Sequence, residues 1–121
     1  MTTVMKAIII ASRNNFLEKK FVVELEKKIQ AVGFEVADDS QETSVAVVVN
    51  DGRDLPKDEQ TKLKHWLKDK ATVTPHKLLA TYTIADLPAP ETLTNISDFV
   101  TKEEYSLIGC LKDYWYFTHH E

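Results

Sequence analysis

The sequence predicts an α/β domain: a small, mainly parallel four-stranded sheet flanked by helices, followed by a C-terminal helical extension. Short β-branched runs alternate with amphipathic helical segments, as they do in parallel sheets with helical crossovers. The runs at 6–12 and 45–50 are apolar without alternation, which favours strands buried on both faces. The Pro-rich segment at 85–90 indicates a boundary. We therefore divide the chain into an α/β domain at 1–86 and, at 87–121, a linker and a C-terminal helix that packs on the domain or extends from it.

Composition excludes several classes of protein. With 121 residues, 43% hydrophobic and 28% charged, the chain has the composition of a globular domain. A net charge of −4 argues against a non-specific nucleic-acid binder, which normally carries a basic stripe. The single Cys110 allows no internal disulfide and suits a reducing compartment. No apolar run reaches the ~18 residues of a membrane helix, and the first residues lack a signal-peptide pattern. We expect a soluble cytoplasmic protein with no membrane partner.

In the first half of the chain, the sequence predicts a strand, one long helix and then two more strands. The helix begins after Asn15, because Asn15 and Glu18 have the spacing of a capping box. It ends at Gly33, a residue that favours the left-handed backbone found after helices. The predicted strands lie at 6–12, 34–37 and 45–50.

In the second half of the chain, the sequence predicts a helix, a short strand and a further helix before the extension. Asp54 can cap a helix with Pro56 in its first turn. A short strand follows at 71–73, and Thr74 with Pro75 opens a further helix. That helix would contain Leu78, Leu79 and Tyr82, and a last helix beginning at Thr101 would carry the stripe Tyr105, Ile108, Leu111 and Trp115.

No catalytic, cofactor or metal site is predicted. The turn after the first strand, at 12–15, contains no glycine, which argues against a dinucleotide-binding loop and a phosphate-binding nucleotidase loop. Cys110 has no histidine near it in sequence to activate it as a nucleophile. His119 and His120 are adjacent at the chain end, where solvated side chains are the simpler interpretation.

A lysine-rich segment at 57–70 suggests an anion site. Its simplest interpretation is a solvated helix face. In a parallel sheet, however, the turn after the first strand and the start of a following helix lie at one edge, where backbone N–H groups favour phosphate. We therefore predict candidate phosphate contacts at Ser12, Lys62 and Lys64.

Four consecutive aromatic residues form a second candidate site. One helix face cannot bury all four, so part of the cluster is expected to pack on the domain. Aromatic side chains are enriched in the hot spots of protein interfaces. The predicted interaction surface is Tyr114, Trp115, Tyr116 and Phe117.

Several segments together resemble the BRCT family. The stretch at 24–36 is similar to the family's helix, glycine and strand, and 45–50 resembles its central strand. The segments at 61–64 and 73–79 resemble its second long helix, fourth strand and closing helix. The similarity covers 6–84. It departs from the family pattern at three places. Gly33 is one glycine where the family has two, and Lys77 stands where many members have tryptophan. The Thr/Ser-Gly of the family's phosphate pocket would fall at Ala11–Ser12 or Ser12–Arg13, where the glycine is missing.

This resemblance implies a non-enzymatic module for protein–protein contacts in DNA repair or replication. Some family members bind a phosphoserine or a DNA 5′-phosphate, which would make Ser12 and Lys62 or Lys64 the pocket residues here. Two alternatives stay open. One is a small flavodoxin-like or Rossmann-like enzyme whose pocket the C-terminal extension completes. The other is a homodimeric assembly protein that uses the last helix. A four-stranded sheet of order 2-1-3-4 would favour the BRCT-like hypothesis, and a longer sheet with a ligand crevice would not.

Overall fold

The computed structural model describes residues 5–37, 43–72, 77–84 and 90–119. The strands of these segments form one sheet, and the helices pack on both of its faces. The strands are β1 (Lys6–Ile10), β2 (Glu35–Ala37), β3 (Val45–Asn50), β4 (Leu78–Thr83) and β5 (Phe99–Thr101). The helices are α1 (Phe16–Val32), α2 (Lys57–Thr72), α3 (Glu91–Ile96) and α4 (Glu104–His119).

The described strands form one five-stranded sheet in the order β2-β1-β3-β4-β5. Every pairing is parallel, so the predicted α/β class with a parallel sheet flanked by helices is confirmed. The predicted number of four strands is wrong. The fifth, β5, adds to the edge of β4 through the register Ala80 to Phe99. It has three residues, too few for an apolar period to be visible in the sequence.

The predicted helix containing Leu78, Leu79 and Tyr82 is also wrong. These residues belong to β4, which pairs with β3 along six residues, and five of its six side chains are buried. Thr74 and Pro75, from which the helix was predicted, lie outside the described residues. The strand predicted at 71–73 is wrong at 71–72, which end α2, and residue 73 is not described.

Two apolar clusters hold the layers together. On one face, α1 and α4 cover the sheet, with Leu25, Ile29, Leu107 and Leu111 almost fully buried. On the other face, α2 and α3 cover it, and Trp66 of α2 is fully buried against the sheet. β5 and α4, which follow the Pro-rich segment, thus share the sheet and the core with the N-terminal elements.

The ends of α1 agree with the sequence prediction. The Asn15 side chain accepts a hydrogen bond from the backbone N–H of Glu18, and Gly33 follows the helix with φ of 132°. Among the helices of the described segments, none has the length and apolar content that a membrane crossing requires.

Candidate functional site

The order of the strands places a crevice between β1 and β3. β2 lies on one side of β1, whereas β3 and the strands after it lie on the other side. The direction in which strands are added to the sheet therefore reverses between β1 and β3. In open parallel sheets, ligands bind outside the carboxyl ends of the strands at such a reversal. A pocket of about 230 Å³ opens at this edge, lined by residues that follow β1 and end β3. It is therefore the candidate functional site.

The walls of this pocket are mostly apolar. The sheet contributes residues at the carboxyl ends of three strands, and the first turns of α1 close the opposite wall. α1 reaches the pocket because it begins directly after the turn that follows β1, where Asn15 caps its first turn. The apolar lining residues are Ala11, Leu17, Phe21, Val22, Val49 and Ile84.

The remaining lining residues, Ser12, Glu18 and Asp51, form a polar rim. The Ser12 hydroxyl donates to Glu18 Oε2 at 2.8 Å. Arg53, in the loop after β3, joins the two carboxylates: its Nη2 lies 2.6 Å from Asp51 Oδ2 and 3.0 Å from Glu18 Oε1. The rim thus connects α1 to the end of β3 through one guanidinium.

These contacts keep both rim carboxylates ionised. The hydrogen bond from Ser12, helped by Arg53, lowers the pKa of Glu18. The hydrogen bond from Arg53 lowers the pKa of Asp51. Charge-assisted hydrogen bonds favour the charged form of a carboxyl group. At neutral pH the rim of the pocket therefore holds two negatively charged carboxylates joined by the positively charged guanidinium of Arg53.

A second charged cluster lies on the other face of β1. Glu59 of α2 is buried and accepts a hydrogen bond from the backbone N–H of Ala11 at 3.3 Å. Arg13 and Lys62 approach Glu59 Oε1 at 3.0 and 3.3 Å. This cluster fixes α2 against the end of β1.

The predicted phosphate contacts are distributed over this edge. Ser12 and Lys62 both lie at the carboxyl end of β1, but the hydroxyl contacts Glu18 and the ammonium contacts Glu59. Lys64 is exposed on α2. A phosphate beside Ser12 would face the Glu18 carboxylate. Phosphate recognition by these three residues stays a prediction.

The aromatic cluster of α4 is divided between core and solvent. Tyr114 and Trp115 are half-buried and pack against the core between α1 and the sheet. Burial raises the pKa of Tyr114 to about 12. Tyr116 and Phe117 are each 63% exposed. Their role as an interaction surface stays a prediction.

The sequence did not single out Glu18, Asp51 and Arg53 as site residues. Glu18 has the spacing of a helix cap, and Asp51 and Arg53 flank a glycine in a typical turn. The signal that could have identified them is an acidic residue directly after the most apolar strand, since the ends of parallel strands meet at one edge.

Two other chemistries find no support in the described segments. Burial raises the pKa of the Cys110 thiol, and the charge of Asp113 adds to the effect, which disfavours the reactive thiolate. No three His, Cys, Asp or Glu side chains converge there as metal ligands would.

No protein-family model matches the chain, and a comparison with curated protein sequences found no match. The geometry of the pocket and its rim is accordingly the basis for inferring function. Chemistry at a site is also a stronger guide to function than the fold that carries it.

Proposed function

We propose that the chain is a flavodoxin-like domain that binds a small organic molecule in the pocket between the carboxyl ends of β1 and β3. The observation that supports this proposal is the coincidence of two features. The strand order reverses between β1 and β3, and the pocket lies at that reversal. In doubly wound sheets of order 2-1-3-4-5, this is the position at which ligands bind.

The character of the pocket agrees with a small ligand. Small-molecule sites are mostly apolar with a few polar groups that fix orientation, and this pocket has six apolar and three polar lining residues. An apolar cavity of about 150 Å³ holds benzene in another protein, so a pocket of about 230 Å³ suits one aromatic ring with a substituent. A dinucleotide is disfavoured because the turn after β1 has no glycine.

A matched pair of tryptophan substitutions tests this proposal with benzamide, a neutral one-ring probe. Ile84 lines the pocket and is 46% exposed, whereas Val100 on β5 is 40% exposed and lies outside the pocket lining. We expect wild type and Val100→Trp to bind benzamide with similar Kd in calorimetry. We expect Ile84→Trp to weaken binding about tenfold or more, equivalent to about 1.4 kcal/mol. Equal Kd values in the two variants would rule out this pocket as the binding site.

A second candidate function is the BRCT-like protein-interaction module. The observation that favours it is the order of the first four strands, β2-β1-β3-β4, with Ser12 and Lys62 at one edge of the sheet. The partner would be a phosphoserine peptide, bound through the Ser12 hydroxyl and a lysine ammonium. We expect such a peptide to bind more tightly than its unphosphorylated form, and Lys62→Ala or Lys64→Ala to reduce the difference. Equal affinity of the two peptides in calorimetry would eliminate this candidate.

A further inference from the structure

We infer that the pocket selects a ligand with an aromatic or apolar body and a cationic head, and that Arg53 is an internal substitute for that head. This inference depends on the proposed small-molecule function. It adds the chemical class of the ligand and a displaceable side chain at the rim.

The first observation is the sign of the charges at the pocket. Two of its lining residues, Glu18 and Asp51, are acidic, and none of its lining residues is basic. Both carboxylates have lowered pKa values and are ionised at neutral pH. A carboxylate or phosphate on the ligand would therefore meet like charge on the lining residues, whereas an amidinium or ammonium would meet opposite charge there.

The second observation is the position of Arg53. The two carboxylates belong to separate elements, and the Arg53 guanidinium joins them with contacts of 3.0 Å to Glu18 and 2.6 Å to Asp51. Its Nε also donates to Asp51 Oδ2 at 3.0 Å. A planar cation with several donors thus already satisfies this pair of acceptors. A ligand amidinium has the same planar donor geometry.

The third observation is the exposure of Arg53. Its side chain is 65% exposed, while those of Glu18 and Asp51 are only 16% and 22% exposed. An ion pair with an exposed arginine stabilises a protein little, since water and salt screen it. A ligand cation can therefore take the place of the guanidinium, which can remain hydrated on its loop. The carboxylates, held by Ser12 and the backbone, stay in position.

The fourth observation identifies the body of the ligand. Leu17 and Ile84 line the pocket and are 75% and 46% exposed, so apolar surface is open to water beside the carboxylates. Covering such surface is favourable in proportion to its area. An aromatic ring against Leu17, Phe21 and Ile84 would cover it and direct a cationic substituent to the rim.

Three probes with one ring and different charge test this inference: benzamidine, benzamide and benzoate. We expect benzamidine to bind wild type about tenfold more tightly than benzamide, with benzoate weakest, because one charge-assisted contact is worth about that factor. Asp51→Asn should reduce the preference for benzamidine over benzamide, because it removes one negative charge from the rim. The near-ultraviolet circular dichroism of each variant reports separately that it is folded.

Arg53→Ala gives the sharper result, since it removes the competing cation. We expect it to tighten benzamidine binding several-fold relative to benzamide binding. Lys27→Ala, which removes an exposed positive charge on α1 outside the pocket lining, should change neither Kd.

Each other outcome has a distinct meaning. If benzoate binds as tightly as benzamidine, or if Arg53→Ala weakens benzamidine, the cationic ligand class is wrong while small-molecule binding stands. Suppose that Ile84→Trp abolishes benzamide binding but wild type binds the three probes with equal affinity. In that case only the role of the carboxylates is wrong. If none of the three probes binds, the inference and the proposed function both fail.

Discussion

Thr81 and Thr83 lie on the same face of β4 and are both buried, but their hydroxyls differ in environment. Thr81 Oγ1 is 2.6 Å from Ser97 Oγ, whereas Thr83 Oγ1 finds no hydrogen-bond partner in the described part of the chain. An unpaired buried polar group destabilises a protein by about 1–3 kcal/mol. We expect Thr83→Val to raise the free energy of unfolding in urea by about 1 kcal/mol, and Thr81→Val to lower it by about as much. A clear loss of stability in Thr83→Val would contradict this.

The rim carboxylates Glu18 and Asp51 predict a dependence of stability on pH. Both have a lower pKa in the folded chain than in the unfolded chain, where carboxyl groups titrate near pH 4 or slightly above. Their contribution is therefore complete above that pH and is lost as the pH falls through the lower folded pKa values. We expect Tm to fall more steeply below about pH 5 in wild type than in Glu18→Gln/Asp51→Asn. Parallel curves would show that the rim does not stabilise the fold.

At the scale of elements, the end of α1 fits against α4 at Gly33. Gly33 has φ of 132°, a conformation that other residues rarely adopt, and a Cβ added there would lie 2.6 Å from Trp115 Nε1. We expect Gly33→Ala to lower the free energy of unfolding by about 2 kcal/mol or more. Gly109 in α4 is the matched control, because an added Cβ meets nothing within 4 Å. Gly109→Ala should raise stability by about 0.5–1 kcal/mol. Equal effects in denaturant unfolding would contradict this packing.

Some elements could be predicted from local sequence and others could not. β3 and α1 were predicted because a continuous apolar, valine-rich run and a capped amphipathic helix are local signals. β4 was mistaken for a helix because Leu, Ala and Tyr suit both structures, and its pairing with β3 is a long-range contact. β5 has three residues at the sheet edge, where only the neighbouring strand defines it.

At the scale of the whole molecule, β5 and α4 complete the core. Leu107 and Leu111 of α4 are fully buried against the sheet, and β5 pairs with β4. A chain ending at Pro90 would expose the face that α4 covers. Since losing a large buried side chain costs about 2–5 kcal/mol, we expect this shortened chain to show no cooperative thermal transition in near-ultraviolet circular dichroism. A transition close to that of the full chain would mean that α4 contributes little to the fold.

The candidate site is likewise a property of the whole fold. Ser12 was predicted from its place after the first strand, but Glu18, Asp51 and Arg53 meet only because β1 and β3 are neighbours. No local pattern in the sequence specifies which strands are adjacent. The strand order therefore determines where we propose that a ligand binds, and the side chains at that edge determine the charge that we propose for it.

The central claim is that a small molecule binds at the carboxyl edge between β1 and β3. The most direct measurement is a titration of ¹⁵N-labelled protein with benzamide and with benzamidine, followed by amide chemical shifts. We predict that the largest shifts occur at Ser12, Glu18 and Asp51 with both probes. Shifts confined to another surface, such as the groove beside Lys28 and Gly109 between α1 and α4, or no shifts at all, would contradict the claim.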